Sequence, residues 1–255
     1  ELVKALRDSS QVILNADDSL VTQMAQFTNA EKTWFGTNEG ADVRAENIAL
    51  TLAGTRFDLL VNGETLGPVN LRILGEHQVM NALASLAVTK VLGLDLKSAI
   101  ASLEELDLAE RWRMQLLSGP NGSFVINDAY NASPDSMRAA LQTLATLGRQ
   151  GHKTIAILGE MAELGHESVA QHDEIGRLVV RLNIDQLFVV GQGAKLIHLG
   201  AMQEGSWDGE SKFVDTIDEA FEQVRDLLGS GDIVLVKSSK SANLRFLGDA
   251  LAEVK

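Results

Sequence analysis

Ser123-Phe124-Val125-Ile126-Asn127-Asp128-Ala129-Tyr130-Asn131-Ala132-Ser133-Pro134-Asp135-Ser136-Met137 is the stretch on which the reading of the fold turns. Phe124, Val125 and Ile126 have the β-branched and aromatic character of a buried strand. From Met137, Arg138-Ala139-Ala140-Leu141-Gln142-Thr143-Leu144 is rich in helix formers, with apolar residues at helical spacing. Ser133 can cap that helix, and Pro134 suits its first turn. The segment therefore reads strand, polar turn, helix, with Asp128, Tyr130 and Asn131 at the strand's carboxyl end. Ligands of open α/β sheets bind at such ends. A helix start adds unpaired N–H groups and a partial positive charge, which favour an anion such as a phosphate. A turn that only caps its helix fits the same residues as well.

The rest of the second half repeats this unit. Strand candidates are Phe124–Asn127, Thr154–Leu158, Leu187–Val190, Phe213–Val214 and Ile233–Val236, with helices starting near Ser133, His166, Ala194, Thr216 and Ser241. Such alternation predicts a mostly parallel sheet covered by helices on both faces. Two further strand ends carry polar or glycine-rich loops, Gly159-Glu160-Met161-Ala162-Glu163-Leu164-Gly165 and Lys237-Ser238-Ser239-Lys240-Ser241. Both should line the same sheet edge as Asp128. Gly191-Gln192-Gly193 is a third glycine loop, but no further glycine follows at dinucleotide-fingerprint spacing.

The first half has a different texture. Gln11-Val12-Ile13-Leu14 reads as a short buried strand ending in Asn15-Ala16-Asp17-Asp18. Leu20, Val21, Met24 and Phe27 then recur at helical spacing, with Asp17 or Asp18 as the cap. Trp34-Phe35, Ile48–Leu52, Arg56–Val61 and Val69–Ile73 are short and partly alternating, and Asn62-Gly63 is a hairpin signal. We expect an antiparallel meander from Lys32 to Leu74, attached to a larger sheet. A long helix should start near His77, with Val79, Leu83, Leu86 and Ala87 as its buried stripe. His77 and Asn81, four apart, share another face. A second helix covers Leu96 to Leu103. The segment 105–113 lacks periodicity and reads as a linker. Arg111 and Arg113 flank Trp112 in it, and a guanidinium is well suited to gripping a phosphate.

Composition narrows the possibilities. The chain has 255 residues, enough for two domains, and 45% of them are hydrophobic. A net charge of -13 argues against a nucleic-acid or anionic-membrane surface, which needs clustered Lys and Arg. The absence of cysteine excludes disulfides, thiol nucleophiles and zinc–thiolate sites. No apolar run approaches the roughly 20 residues of a membrane helix. Glu1–Arg7 is charged throughout and has no signal-peptide core, so a cytoplasmic protein is the expectation. The chain starts without Met, as if within a helix, as a piece of something longer would. There is no P-loop, no G-x-S-x-G elbow and no H-E-x-x-H. His166 and His172, six apart in one predicted helix, do not share a metal-binding face. What remains is a set of polar residues suited to a phosphate-bearing molecule: His77, Asn81, Arg111, Asp128, Tyr130, Asn131, Lys237, Ser239 and Lys240.

These residues carry a resemblance. Asp128-Ala129-Tyr130-Asn131-Ala132-Ser133-Pro134-Asp135-Ser136-Met137 closely resembles a D-x-Y-N-A-x-P-x-S-M segment of the Mur ligase family. Asn15–Asp18, Gly75–Ala84, Leu158–Gly165 and Leu235–Ser241 match in order, so the likeness spans nearly the whole chain. The Tyr-Asn-Ala version points to the members that join D-alanyl-D-alanine to UDP-N-acetylmuramoyl-tripeptide. The implied fold is α/β: part of a central ATPase-type domain with antiparallel strands over residues 1–108, then a Rossmann-like, mostly parallel sheet domain over 109–255. The implied chemistry is ATP-driven conversion of a carboxylate to an acyl phosphate, which an amine attacks to give an amide, ADP and phosphate. By family position Asn81 contacts adenine, His77 sits beside the nucleotide, Arg111 reaches it and Asp128 accepts from its ribose. Tyr130 and Asn131 line that pocket, and Lys237, Ser239 and Lys240 lie on the dipeptide's edge. Glu110 replaces a glycine common before the arginine. ATP and magnesium are the implied cofactors, with the metal ligands and P-loop in a preceding part that has no counterpart here. The 255 residues alone are thus expected to be inactive, and the ligase to be monomeric. A folylpolyglutamate-synthase-like ligase, or a nucleotide-binding module without chemistry, are the alternatives.

Overall fold

The computed structural model describes residues 1–107, 110–205 and 210–252. Leu108 and Ala109, where the expected linker and domain boundary fall, lie outside them. The chain divides into two compact units, Glu1–Asp107 and Leu108–Lys255.

The first unit is a five-stranded sheet in sequential order, β1 (Gln11–Asn15), β2 (Glu31–Gly36), β3 (Val43–Thr51), β4 (Gly54–Val61) and β5 (Glu64–Leu71). Two helices, α2 (Glu76–Val91) and α3 (Leu96–Glu104), pack against it. The meander is narrower than expected. Strands β3 to β5 are antiparallel, but β2 runs parallel to β1, pairing Gln11 with Glu31 through Asn15 with Phe35. The reason is the crossover α1 (Ser19–Met24), which returns the chain in the same direction. Asp18, not Asp17, caps α1 by accepting from the N–H of Leu20 and Val21. Asp17 instead accepts from the Thr37 and Asn38 backbone N–H groups. The hairpin between β4 and β5 turns at Asn62 (φ 52°) and Gly63 (φ 82°), the paired positive angles of a tight turn that Asn-Gly tolerates. Strand β5 begins earlier than its apolar pattern suggested, because Gly67 and Pro68 interrupt the alternation; Pro68 is accommodated on an edge strand. Helix α2 buries Val79, Ala82, Leu83, Leu86 and Ala87 against the sheet. The start of the chain is a short 3-10 turn, Val3–Ala5, rather than the middle of an α-helix.

The second unit is a six-stranded sheet. Its strands are β6 (Gln115–Ser118), β7 (Phe124–Asn127), β8 (Thr154–Leu158), β9 (Gln186–Val190), β10 (Ser211–Val214) and β11 (Ile233–Lys237), in the order β10-β9-β8-β11-β7-β6. All neighbours are parallel except the edge pair β6–β7. Alternation along each strand divides the core in two. Val125, Ile155, Ile157, Phe188, Val234 and Val236 pack with α7 (Ile217–Arg225) and α8 (Leu244–Leu251). On the other face lie α4 (Pro134–Gly148), α5 (Ser168–Arg181) and α6 (Lys195–Glu204). Ser133 caps α4 in a reciprocal capping box with Ser136, and Pro134 opens its first turn. His166 and His172 do not share a helix: His166 lies in a 3-10 turn, Gly165–Glu167, and α5 begins after it.

Candidate functional site

The topology selects the edge. Strands β7 and β8 lead into helices on one face, whereas β11, between them, leads into α8 on the other. The loop after β11 thus lies at a switch point, where the helices diverge and leave a crevice. Three loops meet there: 128–133, 159–165 and 238–243.

Their contacts are direct. Lys237 is only 2% exposed, and its ammonium donates to Asp128 Oδ2 at 2.6 Å and to the Asn131 carbonyl at 3.1 Å, with a longer contact to the Asp128 carbonyl. Asp128, at 13% side-chain exposure, also accepts from the Met114 N–H through Oδ1 at 3.0 Å. Ser239, likewise buried, donates from its backbone N–H to the Glu160 carbonyl. Its hydroxyl accepts from the Ala162 N–H at 2.8 Å and donates to the Ala132 carbonyl at 3.4 Å. Lys237 and Ser239 thus tie the three loops together from below. A buried pair of this kind is weak evidence for net stability, yet losing one partner strands a charge.

Above this layer sit groups that face water. The Tyr130 ring lies under two cations, the Arg113 guanidinium 4.5 Å and the Lys240 ammonium 5.4 Å from its centroid. Asn131 is exposed, and its Oδ1 accepts from the Ala132 N–H. Arg111 is half-exposed, donates to Asp249 at 2.9 Å and stacks on Trp112 with its guanidinium 4.6 Å from the ring centroid. Six of the expected residues (Asp128, Tyr130, Asn131, Lys237, Ser239 and Lys240) therefore gather at one edge, and Arg111 is held beside them on the same unit. Sequence reasoning gave no role to Met114 or Asp249, and named Arg113 only as one of two arginines flanking Trp112. The signal for Asp249 was present: it is the one acid in a last helix whose other inward residues are Leu244, Leu247, Gly248 and Leu251.

In the first unit, His77 and Asn81 share the solvent side of α2's opening turns. Gln78 links them: its amide lies 3.3 Å from His77 Nε2 and accepts from Asn81 Nδ2 at 3.0 Å. Asn81 is exposed, and besides that bond its amide has a second N–H and a carbonyl, so the group can both donate and accept toward a ligand. Among the described residues, no group of three or more His, Asp or Glu is placed to hold a metal ion. These side chains do not accommodate magnesium. No helix among the described residues is long and apolar enough to cross a membrane.

Comparison with known proteins places this architecture. Residues 1–89 match the Mur ligase middle domain, and residues 112–240 match the Mur ligase, glutamate ligase domain. The UDP-N-acetylmuramoyl-tripeptide--D-alanyl-D-alanine ligase of Mycobacterium tuberculosis is 41% identical over 268 residues, covering 98% of this chain and 52% of that protein. A crystal structure of MurF from Acinetobacter baumannii superposes with a TM-score of 0.85 at 27% identity, over 99% of this chain and 53% of that one. MurF ligase from Thermotoga maritima, solved in complex with ADP, has the same fold, with a TM-score of 0.83 at 21% identity over 99% of this chain and 55% of that one. The chain spans about half the length of the curated relatives it matches. With both units matched in order, the chain belongs to the Mur ligase family.

Proposed function

We propose that this chain is the later part of an ATP-dependent ligase that joins D-alanyl-D-alanine to UDP-N-acetylmuramoyl-tripeptide, a step in making the peptidoglycan precursor. The observation that carries this reading is the 41% identity, sustained over 98% of the chain, to a relative named for that reaction. The ADP in the Thermotoga maritima structure belongs to that protein and supports a nucleotide role for the shared fold.

In the chemistry of such a ligase, the tripeptide's terminal carboxylate takes the γ-phosphoryl group of ATP and ADP leaves. The dipeptide's amine then attacks the acyl phosphate, and phosphate departs as the amide forms. The residues here bind and orient rather than supply a nucleophile. Asn81 reads the adenine edge, with His77 beside it. On the second unit Arg111, Tyr130 and Asn131 serve the nucleotide, and Asp128 accepts from its ribose. Asp128 can do so only with its remaining lone pairs, since both oxygens already accept hydrogen bonds. Lys240, exposed beside Tyr130, meets the dipeptide. Lys237 and Ser239 act by holding the loops, because their polar atoms are already engaged.

Phosphoryl transfer depends on positioning and on charge stabilisation by a phosphate-cradling loop and its metal. The sequence has no phosphate-cradling loop motif, and no metal-holding group is placed among the described residues, so the isolated chain should turn over no ATP. The test is an ATPase and ligation assay of the purified 255-residue chain beside the full-length protein; ligation by the chain alone refutes this division of labour. In the full-length protein, Asn81→Ala should raise the KM for ATP about tenfold, the loss expected for a two-sided amide contact. An unchanged KM removes Asn81 from the nucleotide site.

A further inference from the structure

Helix α8 ends the described chain and supplies none of the residues assigned above. It nevertheless carries a carboxylate, Asp249, that is 9% exposed and fully engaged. Asp249 accepts from Arg111 Nη2 at 2.9 Å, from Trp112 Nε1 at 3.0 and 3.2 Å, and from Asn127 Nδ2 at 3.0 Å. Gly248 makes the approach possible: a Cβ there would lie 2.4 Å from Asn127 Nδ2. The segment it holds is strained. Trp112 has φ 61° and Met114 φ 48°, left-handed angles that a bulky side chain adopts only under constraint from its surroundings. That constraint continues into the site. The Trp112 carbonyl accepts from the Tyr130 N–H at 3.2 Å, and the Met114 N–H donates to Asp128. Arg245, one turn before Asp249, places its guanidinium 5.4 Å from the Trp112 ring centroid and donates to the Lys240 carbonyl.

We propose that Asp249 is a positioning residue: from the last helix it sets Arg111 and Trp112, and through them Tyr130 and Asp128, in the geometry that binds nucleotide. The inference rests on the nucleotide reading of Arg111 given above. Asp249 touches no ligand. Its carboxylate compensates the Arg111 charge and gives the indole N–H a fixed acceptor, so that with Trp112 left-handed all three donors are satisfied.

The experiment has two readouts in the full-length protein. Trp112 is isolated by Trp34→Phe, Trp207→Phe and replacement by Phe of any tryptophan outside these 255 residues, and its emission is followed in Asp249→Ala and Asp249→Asn. Loss of the acceptor in Asp249→Ala should red-shift the emission and increase acrylamide quenching. Asp249→Asn keeps an oxygen for the indole and should restore the native spectrum. In steady-state kinetics, Asp249→Ala should raise the KM for ATP about tenfold, with kcat changed less, as misplacement of a binding group does. Asp249→Asn should fall between. An unshifted spectrum overturns the proposal, as does an unchanged KM for ATP in a variant whose spectrum has shifted. Arg111→Ala separates the causes. If it raises the KM for ATP while Asp249→Ala does not, positioning fails alone. If neither raises it, the nucleotide reading of Arg111 fails and the proposal falls with it.

Discussion

Lys237 and Asp128 form the centre of the second unit's site, and one substitution tests their role. Lys237→Met keeps the aliphatic volume but leaves Asp128 with a largely buried charge and no counter-ion. We expect a loss of about 3–5 kcal/mol in denaturant unfolding, with the pair Lys237→Met/Asp128→Leu recovering part of it. Equal stability of single and double variants would contradict a coupled pair. A second residue sets a pH response. His198 on α6 bonds Ser211 Oγ at 2.7 Å, and burial, with Lys195 nearby, holds its pKa below the ordinary value. Folding therefore favours neutral His198. Below about pH 6.5 the unfolded chain takes up a proton that the folded chain resists, so stability falls as pH drops through that window and is unaffected above it. His198→Gln should flatten that part of a urea-midpoint profile; an unchanged slope assigns it elsewhere. At this scale the sequence displayed residue types but not partners. Lys237 and Ser239 looked like substrate contacts because nothing in a strand-end pattern tells a buried lysine from an exposed one. Asp249 went unread because its partners lie more than a hundred positions earlier.

Elements were more legible. Strands β7 and β8 fall where their apolar runs stand, and α4 starts at the Ser133-Pro134 signal. Strand β6 was missed because Gln115-Leu116-Leu117-Ser118 is short, half-buried and pairs only at the sheet edge. The parallel pairing of β2 with β1 was missed although the α1 crossover was read, because Trp34-Phe35 was grouped with the antiparallel strands that follow it. Helix packing was not legible at all. Helices α5 and α6 meet backbone to backbone at Gly176 and Gly200. A Cβ on Gly176 would lie 1.9 Å from the Ile197 carbonyl oxygen, and one on Gly200 would lie 2.3 Å from the Asp173 carbonyl oxygen. Arg177 and Arg181 then bridge to Glu204 across the same contact. Gly176→Ala, favourable for an isolated helix, should therefore cost about 2–3 kcal/mol in the protein by forcing the helices apart. Gly40→Ala, with open space around it, is the control and should stay near wild type. Equal thermal midpoints for the two would show that α5 and α6 are not so closely opposed.

For the whole molecule, the alternation of strands and helices was enough to forecast a doubly wound second unit, and the change of texture before it a separate first one. The family resemblance followed from motifs that stand after strand ends and at the start of α2. The chain spans about half the length of the relatives it matches, so the decisive assay uses the full-length protein. UDP-N-acetylmuramoyl-tripeptide, D-alanyl-D-alanine and ATP are supplied together, and the nucleotide product is followed by mass spectrometry alongside ADP release. UDP-N-acetylmuramoyl-pentapeptide should form, with one ADP released per amide and, when the dipeptide is omitted, no ADP turnover beyond a single equivalent per enzyme. Failure to form the pentapeptide, or equal ADP release with a folate and glutamate in place of the two substrates, would contradict the ligase reading.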